Sequence, residues 1–471
     1  MKYGLGENQL HEILDILQKY PEVEEAILFG SRAIGTYKEA SDIDVALKGK
    51  DVSVMLATKI QSDLEDTYLP FFFDIISYPS ITNQDLIKHI NAKGIPIYRA
   101  GWKKCKLGDV VVMHYGKALP SGKRIKGDIP VYGSAGIIGY HNEPLSKTKG
   151  LIIGRKGNIG RIYKSMEPFF AIDTTFYVQP NDDLYDMDYL YYMLQNYRFD
   201  LLNEDSAVPG LNRKTAYFQD IYLPPLHKQK EIASILSCLD DKINLLHRQN
   251  KTLESIAQTL FHQWFIKEAD ENWERKPLSF FGRVVCGKTP PKKHQEYFNG
   301  HYLFLKIPDM HEKVFIFDTY DKLSNKGKES QLNKTIPPNS ICVSCIATVG
   351  LVSMNAIECH TNQQINSIIP YKEHYRYYIY LTMKSQKDSL ISLASGGTAT
   401  LNLNTKEFSN MSLLFPSEGK LKEYHFENKD IFDKIYQNQR QCMVLDHIRN
   451  NILSILIETD AKKMCVAYSA G

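Results

Sequence analysis

The sequence predicts a multidomain α+β protein, with an α/β domain at the N-terminus, two copies of a second α/β domain and two long antiparallel helices. Three observations support this prediction. Acidic side chains lie within apolar strand patterns in the first 100 residues, the residues beyond 102 repeat, and each repeat precedes a long helical pattern. The predicted segments are the domain 1–100, the copies 102–225 and 273–416, the central helix 226–267 and the C-terminal helix 425–458.

Composition and charge indicate a globular protein of the cell interior. Of the 471 residues, 43% are apolar, but no run of about 18 apolar residues suggests a membrane span. The N-terminus lacks a secretion signal and the cysteines show no disulfide spacing, so we expect a cytoplasmic protein without a membrane partner. Residues 1–100 contain 10 Lys+Arg and 15 Asp+Glu, and the remainder contains 47 and 39. That basic surplus fits a polyanionic partner, and it equally fits a solvated surface.

Three carboxylates lie on predicted strands of the first domain. Asp42 and Asp44 occupy alternate positions of a strand, so their side chains face the same way. Asp74 is the one charge in the apolar run 69–76, where a carboxylate is costly unless it is paired or bound to a metal. Because like charges repel, a hard divalent cation such as Mg²⁺ would relieve this cluster. The turn Gly30-Ser31-Arg32 follows an apolar strand, which lets the backbone approach a phosphate.

Residues 1–100 resemble the minimal nucleotidyltransferase family in Gly30-Ser31-Arg32 and Ser41-Asp42-Ile43-Asp44, followed by Asp74. The resemblance implies that Asp42, Asp44 and Asp74 are catalytic and bind the metal, and that Gly30, Ser31 and Arg32 bind the nucleotide. It also implies Mg²⁺ and a nucleoside triphosphate, ATP, as cofactors. Some members transfer AMP to a protein tyrosine. A surface Asp-x-Asp turn and a degenerate, non-catalytic copy are the alternative interpretations.

Residues beyond 102 repeat with an offset of 190 in residue number. The pairs that show this are Gly157-Asn158-Ile159-Gly160 with Ala347-Thr348-Val349-Gly350, Pro180 with Pro370, Leu211-Asn212 with Leu401-Asn402, and Phe218 with Phe408. A constant offset over so long a stretch predicts two copies of one domain. The copies begin at Trp102 and Trp273, which leaves extra residues in the second copy, expected around 325–333.

Each copy is followed by a predicted long helix with a seam for a partner helix. The central rod would be roughly 57 Å long at 1.5 Å per residue, and the C-terminal helix is expected to be shorter. Antiparallel packing would place the two copies at opposite ends. The central seam is Ile232, Leu239, Leu246, Leu253 and Leu260, widened by Ile235, Leu236, Ile243, Ile256, Ala257 and Trp264. The C-terminal seam is Ile431, Leu445, Ile448, Ile452 and Ile455, interrupted by Asn438.

This plan resembles the specificity subunit of type I restriction–modification systems. The stretches that carry the resemblance are 151–160, Pro209-Gly210-Leu211-Asn212 and Pro224-Pro225-Leu226-His227-Lys228-Gln229-Lys230. The resemblance implies that each copy is a target-recognition domain for half of a split site in double-stranded DNA, and that the helices set the spacing. It also implies docking of modification subunits, which methylate adenine with S-adenosylmethionine, and of ATP-driven restriction subunits.

Basic side chains of both copies are the candidate DNA contacts, because Lys and Arg bind phosphates and base edges. They are Lys117, Lys123, Arg124, Arg155, Lys156, Arg213 and Lys214 in the first copy and Lys288, Lys292 and Lys293 in the second. Each of these residues is equally compatible with an ordinary solvent-exposed charge that contacts no DNA. Two other functions stay open: an enzyme that nucleotidylates a protein or a small molecule and uses the repeats for targeting, and a scaffold without DNA binding.

Overall fold

The computed structural model describes residues 3–38, 41–197, 199–202, 210–395 and 401–456. The chain divides into two units at Ser234, within a single long helix. The first unit contains the N-terminal domain and the first copy, and the second covers Ile235–Ile455.

A four-stranded sheet forms the centre of the N-terminal domain. The elements are α1 (Glu7–Leu17), β1 (Glu25–Leu28), α2 (Gly30–Ile34), β2 (Ile43–Lys48), α3 (Val54–Glu65), β3 (Phe73–Ser77), α4 (Gln84–Lys93) and β4 (Ile95–Arg99). The strand order is β3-β2-β1-β4, with β2 and β3 parallel. Ile13 of α1 and Ile60 of α3 pack with Val45 on one face, and Ile90 of α4 packs with Ala46 on the other. Both faces of the sheet are therefore covered by helices.

The first copy contains two sheets and a two-stranded ribbon. Its elements are β5 (Lys103–Lys106), α5 (Leu107–Val110), β6 (His114–Tyr115), β7 (Ile129–Gly133), β8 (Gly136–His141), β9 (Gly150–Gly154), β10 (Ile162–Ser165), β11 (Phe170–Ala171), β12 (Thr175–Val178), α6 (Met187–Asn196), α7 (Arg213–Tyr217) and β13 (Asp220–Leu223). The sheets have the orders β10-β9-β12-β6 and β11-β7-β8, and β13 pairs with β5. Helix α8 (Leu226–His262) follows and continues in a π-helical turn, Gln263–Lys267.

The second copy repeats this plan. Its elements are β14 (Glu274–Pro277), α9 (Leu278–Phe281), β15 (Gly282–Cys286), β16 (Phe298–Leu305), α10 (Ile307–Met310), β17 (Phe315–Ile316), β18 (Lys322–Leu323), α11 (Asn325–Glu329), β19 (Ile341–Ser344), β20 (Val352–Asn355), β21 (Cys359–Thr361), β22 (Ile365–Pro370), α12 (Arg376–Ser385), α13 (Lys387–Ala394), α14 (Thr405–Ser409) and β23 (Ser412–Phe415). Helix α15 (Glu418–Leu456) follows. The orders β17-β20-β19-β22-β15 and β21-β16-β18, with β23 beside β14, match those of the first copy except that β17 adds a fifth strand beside β20. The predicted fold class is confirmed.

The alignment of the two copies shifts by two residues near their ends. Asn212 caps α7 and Asn404 caps α14, so Leu211-Asn212 corresponds to Leu403-Asn404 and the predicted match to Leu401-Asn402 is wrong. The same shift makes Asn410, and not Phe408, the counterpart of Phe218, since these two residues end α7 and α14. Residues 401–404 read Leu-Asn-Leu-Asn, so sequence alone fits both registers. The cap hydrogen bonds decide between them.

The additional residues of the second copy lie in two places. Residues 306–321 connect β16 to β18 and include α10 and β17, whereas a tight turn joins β7 to β8 in the first copy. Residues 324–340 include α11 and form the second addition. The predicted location, 325–333, therefore accounts for only part of the extra length.

Helix α15 begins earlier than the sequence predicted. The Ser417 hydroxyl accepts a hydrogen bond from the Lys420 backbone N–H at 3.1 Å, which caps the first turn, and Leu421 and Tyr424 are buried. The helix begins at Glu418, so the predicted start at 425 was wrong. Asn428 is buried among these apolar residues. A polar residue at a buried position breaks the apolar periodicity, so the sequence pattern did not reveal the first turns of the helix.

Within the second unit, α8 and α15 pack antiparallel. The Arg449 guanidinium contacts the Asp240 carboxylate at 2.6 Å, and the rings of Phe261 and Tyr424 lie 6.4 Å apart. Residue numbers therefore rise along α8 as they fall along α15, as predicted. Among the helices in the described part of the chain, none combines the length and the apolar character needed to cross a bilayer.

The buried face of α8 is narrower than the predicted stripe. Ile235 and Ile256 are 49% and 44% exposed, whereas the adjacent positions Leu236 and Ala257 are fully buried. Ile448 of α15 is also exposed, at 40%. These three isoleucines lie on the flanks of the seam, where the periodicity alone could not exclude them.

A buried polar pair interrupts the apolar seam between α8 and α15. The Asn438 Nδ2 donates to Asn250 Oδ1 at 3.0 Å. Within the described residues, the Asn250 Nδ2 and the Asn438 Oδ1 are buried without partners. Such a pair costs stability and favours one register, because any slip along the helices would leave both amides unpaired.

We expect Asn438→Leu to lower the free energy of unfolding by about 1–3 kcal/mol, because it leaves the Asn250 amide buried and unpaired. The double change Asn250→Leu/Asn438→Leu should recover most of this loss, since it removes both polar groups. Urea denaturation of the full chain and its single and double variants measures the coupling. A double variant that loses as much as the two single variants combined would contradict this account.

Candidate functional site

The predicted acidic residues meet on one face of the N-terminal sheet. Asp44 lies in β2 directly opposite Asp74 of the parallel strand β3, and Asp42 immediately precedes β2. The alternate residues Ile43 and Val45 are buried in the core. Strand alternation and parallel pairing thus bring together three carboxylates that are up to 32 positions apart in the sequence, from Asp42 to Asp74.

The electrostatics of this face centre on Asp44. Its partial burial raises its pKa, and the neighbouring charges of Asp74 and then Asp42 raise that pKa further. Asp42 and Asp74 are exposed. Within the described residues, no three His, Cys, Asp or Glu side chains are gathered tightly enough around one point to hold a metal ion. The donor set is nevertheless three carboxylates on one face, which is the ligand chemistry that Mg²⁺ prefers.

Gly30 is required by its contact with Asp44. Its φ is +68°, and a Cβ atom at this position would lie 2.1 Å from the Asp44 Oδ2. The carboxylate therefore occupies the space that any other side chain would need. Ser31 follows as the second residue of α2 and is half-buried, so the predicted Gly30-Ser31 turn lies beside the acidic face.

Arg32 has a different position from the one that the resemblance implied. It is 1% exposed, and its guanidinium donates to the backbone oxygens of Ser41 at 2.6 Å, Asp42 at 3.1 Å and Tyr3 at 3.0 Å. Its guanidinium carbon also lies 4.8 Å from the centre of the Phe71 ring. This side chain is thus buried while it holds the segment that carries Asp42, and its assignment to nucleotide binding stays a prediction.

Five of the basic candidates of the first copy converge at one end of its larger sheet. The Arg155 and Arg213 guanidiniums lie 5.0 Å and 4.6 Å from the centre of the Tyr115 ring. Lys117 and Lys156 lie on adjoining loops, Lys214 follows Arg213 in α7, and all three are exposed. Tyr115 was missed by the sequence analysis, since an isolated tyrosine at the end of a two-residue strand gives no signal of its role.

The remaining basic candidates lie elsewhere. Arg124 donates to the Ile138 oxygen at 2.6 Å and ties its loop to β8, whereas Lys123 beside it is exposed. In the second copy, Lys288, Lys292 and Lys293 are exposed along the segment between β15 and β16.

Comparison with known proteins identifies the larger part of the chain. The family model described as "Type I restriction modification DNA specificity domain" matches residues 99–255 and 270–453. The chain belongs to the type I restriction–modification specificity family. The two matched segments correspond to the two structural copies, so the resemblance seen in the sequence is confirmed.

Members of this specificity family resemble the chain over most of their length. The HindI specificity subunit of Haemophilus influenzae is 33% identical over 371 residues, which cover 61% of this chain and 80% of that protein. The MjaIX specificity subunit of Methanocaldococcus jannaschii is 26% identical over 297 residues, covering 57% and 68%. The crystal structure of the M. genitalium S subunit shares the fold, with a TM-score of 0.50 at 13% identity, and the match covers 75% of this chain and 96% of that one.

A second family model identifies the N-terminal domain. The model described as "Polymerase beta, Nucleotidyltransferase" matches residues 11–101. The specificity subunit therefore carries a nucleotidyltransferase domain ahead of its two copies, as the acidic pattern and the Gly30-Ser31 turn indicated.

The contact between Gly30 and Asp44 gives a prediction with a matched control. Gly30→Ala should unfold the acidic face and lower the midpoint of thermal unfolding, because the new Cβ collides with the Asp44 carboxylate. Gly35→Ala introduces a side chain at a similar φ of +80°, but its Cβ would meet nothing within 4 Å. The cost of the left-handed backbone, about 1–2 kcal/mol, is then common to both variants. Equal thermal midpoints of the two variants would show that the contact does not matter.

Proposed function

We propose that this chain is the DNA sequence-specificity subunit of a type I restriction–modification system. Its two copies read the halves of a bipartite site in duplex DNA, and its long helices set the gap between the halves and dock the modification subunits. Those subunits methylate adenine with S-adenosylmethionine, and the restriction subunits join the same complex in the cytoplasm. The duplication of one strand order, with a long helix after each copy, is the observation that carries this proposal.

The charges support DNA as the partner. Lys117, Lys156 and Lys214 are exposed in the first copy, as are Lys288 and its neighbours in the second. Such cations neutralise phosphates and fix the register of a protein on DNA. A scaffold without DNA binding would have no use for the same exposed lysines around two matching sheets.

Exchange of one copy tests this proposal. A chain in which residues 102–225 are replaced by those of a relative, expressed with the modification subunits, should methylate a site with one altered half. The other half and the gap should stay the same, because the second copy and the helices are unchanged. Exchange of residues 273–416 is the matched control and should alter the opposite half. Sequencing that detects methylated adenine reads both results, and unchanged sites would contradict the proposal.

We further propose that the N-terminal domain is an active, Mg²⁺-dependent nucleotidyltransferase that uses ATP. Asp42, Asp44 and Asp74 would hold the ion, which supplies charge neutralisation for the phosphates. The backbone of Gly30 and Ser31 would contact the phosphates, and Arg32 would hold the Asp42 segment in place. The placement of Asp44 opposite Asp74 and two positions after Asp42 supports this assignment, because a bound cation relieves the repulsion between these carboxylates.

The acceptor of the transferred nucleotide defines the alternative function. If the acceptor is a protein outside the restriction complex, the chain acts as an antitoxin-like AMP transferase and the copies serve as its targeting module. If the acceptor is a partner subunit, nucleotidyl transfer and DNA specificity belong to one complex. The acidic face favours transfer in both cases.

Transfer should depend on the acidic face. Incubation of the purified chain with Mg²⁺, ATP labelled at the α-phosphate and the modification and restriction subunits should label a protein. Asp42→Asn/Asp44→Asn should reduce labelling by about 100-fold or more, since the metal-binding charge is lost. Asp51→Asn, at an exposed turn of the same domain, is the control and should label normally. Equal labelling by the wild type and the double variant, or none by the wild type, would contradict the proposal.

A further inference from the structure

A tyrosine ring between two arginines occupies the centre of the basic end of the first copy. Tyr115 ends β6 and is 47% exposed. The guanidinium carbons of Arg213 and Arg155 lie 4.6 Å and 5.0 Å from the centre of its ring. A guanidinium over an aromatic ring is attracted to its electron-rich face, so one ring orients both cations.

Each guanidinium is also held by the backbone. Arg155 donates to the Asp173 oxygen at 3.3 Å, and Arg213 donates to the Met113 oxygen at 3.1 Å. A guanidinium has five N–H donors, so one hydrogen bond each fixes its position and leaves other donors. Neither guanidinium forms a further hydrogen bond within the described residues. Both guanidiniums are therefore oriented before a partner binds, which lowers the conformational entropy lost on binding.

Three exposed lysines surround this pair. The Lys117 backbone N–H donates to the Ala171 backbone oxygen. Lys156 forms a backbone bridge with Gly210, shortly before α7, which carries Lys214. These backbone contacts bring four separate loops to the same end of the sheet. The result is a group of five cations at one end of the sheet, which suits a polyanion such as the DNA backbone.

The second copy provides an internal comparison. Tyr115 pairs with Phe176 and Cys286 pairs with Asn366, so Cys286 is the counterpart of Tyr115. The neighbouring strand registers make Cys345 the counterpart of Arg155. The corrected alignment of α7 with α14 makes Thr405 the counterpart of Arg213. Both arginines and the ring between them are therefore absent from the same place in the second copy.

The lysines around the two arginines differ less between the copies than the arginines and the tyrosine do. Lys117 corresponds to Lys288, and Lys214 corresponds to Lys406, which is also exposed. Lys156 corresponds to Ile346, so the two copies share two of the three outer cations and differ at the centre. Contacts to phosphates are independent of sequence and are expected in both copies, whereas contacts to bases must differ when the two half-sites differ.

We infer that Arg155 and Arg213, oriented by Tyr115, read guanine in the half-site of the first copy, and that Lys117 and Lys214 contact the flanking phosphates. Guanine presents the O6 and N7 acceptors in the major groove, and the planar fork of arginine matches them. Lysine has the charge but lacks the fork. This inference rests on the proposed DNA-specificity function and assigns its base-reading residues in one copy.

Conservative substitution separates the two roles. Arg155→Lys/Arg213→Lys, in the full chain with its modification subunits, should relax the methylated consensus at a G·C pair of one half-site and leave the other half unchanged. Lys117→Ala/Lys214→Ala is the comparison. It should weaken binding to all sequences and lower the slope of log affinity against log salt by about one per lysine, without altering the consensus. An unchanged consensus in the arginine variant, or relaxation in the half-site of the second copy, would overturn the inference.

A change in the DNA tests the same contact without altering the protein. A duplex that carries 7-deazaguanine in the first copy's half-site lacks the N7 acceptor but keeps its base pairing. Competition binding to the wild-type complex should weaken by about tenfold, and the same replacement in the other half should have a smaller effect. Equal effects in both halves, or a half-site without any G·C pair, would contradict the assignment. A wild-type complex that methylates no bipartite site would instead refute the proposed function itself.

Discussion

The pairing of the first and last strands of each copy is the constraint on which the rest of the architecture depends. Lys103 of β5 lies opposite Leu223 of β13, and Glu274 of β14 lies opposite Phe415 of β23. The chain therefore enters and leaves each domain at one place. A long helix begins directly after each closing strand, so a copy can vary internally while its junction with the helix stays the same.

Each junction is secured by a buried or ion-paired side chain at the start of the helix. In the first copy, Gln229 accepts from the Asp186 N–H at 2.8 Å and donates to the Pro224 oxygen at 2.9 Å. In the second copy, Glu418 secures the junction with the helix. Burial alone would raise its pKa, but hydrogen bonds from Lys372, Tyr375 and His374 hold that pKa at about 2. Different chemistry thus secures the same joint, which explains why the second junction lacks the Gln-Lys pattern of the first.

The nucleotidyltransferase domain is attached at the entry of the first copy. The Ala100 N–H donates to the Glu24 oxygen at 2.8 Å, and the Arg99 guanidinium lies 4.9 Å from the centre of the Trp102 ring. A Cβ atom on Gly101 would lie 2.9 Å from the Pro225 ring, next to the start of α8. The domain is therefore joined by packed residues and not by a loose linker.

The sequence by itself determined the domain types, the duplication and the acidic site, because these rest on local patterns. Strand alternation placed Asp42 and Asp44 on one face, and the repeat revealed the second copy before any contact was known. Only the tertiary structure decided what depends on pairing between distant segments. It buried Arg32 against backbone oxygens, chose between two registers at Leu401-Asn402-Leu403-Asn404, and began α15 at Glu418. It also placed Tyr115 between Arg155 and Arg213, which lie 40 and 98 positions further along the chain. A periodicity reports which residues share a face, but it does not report what that face meets.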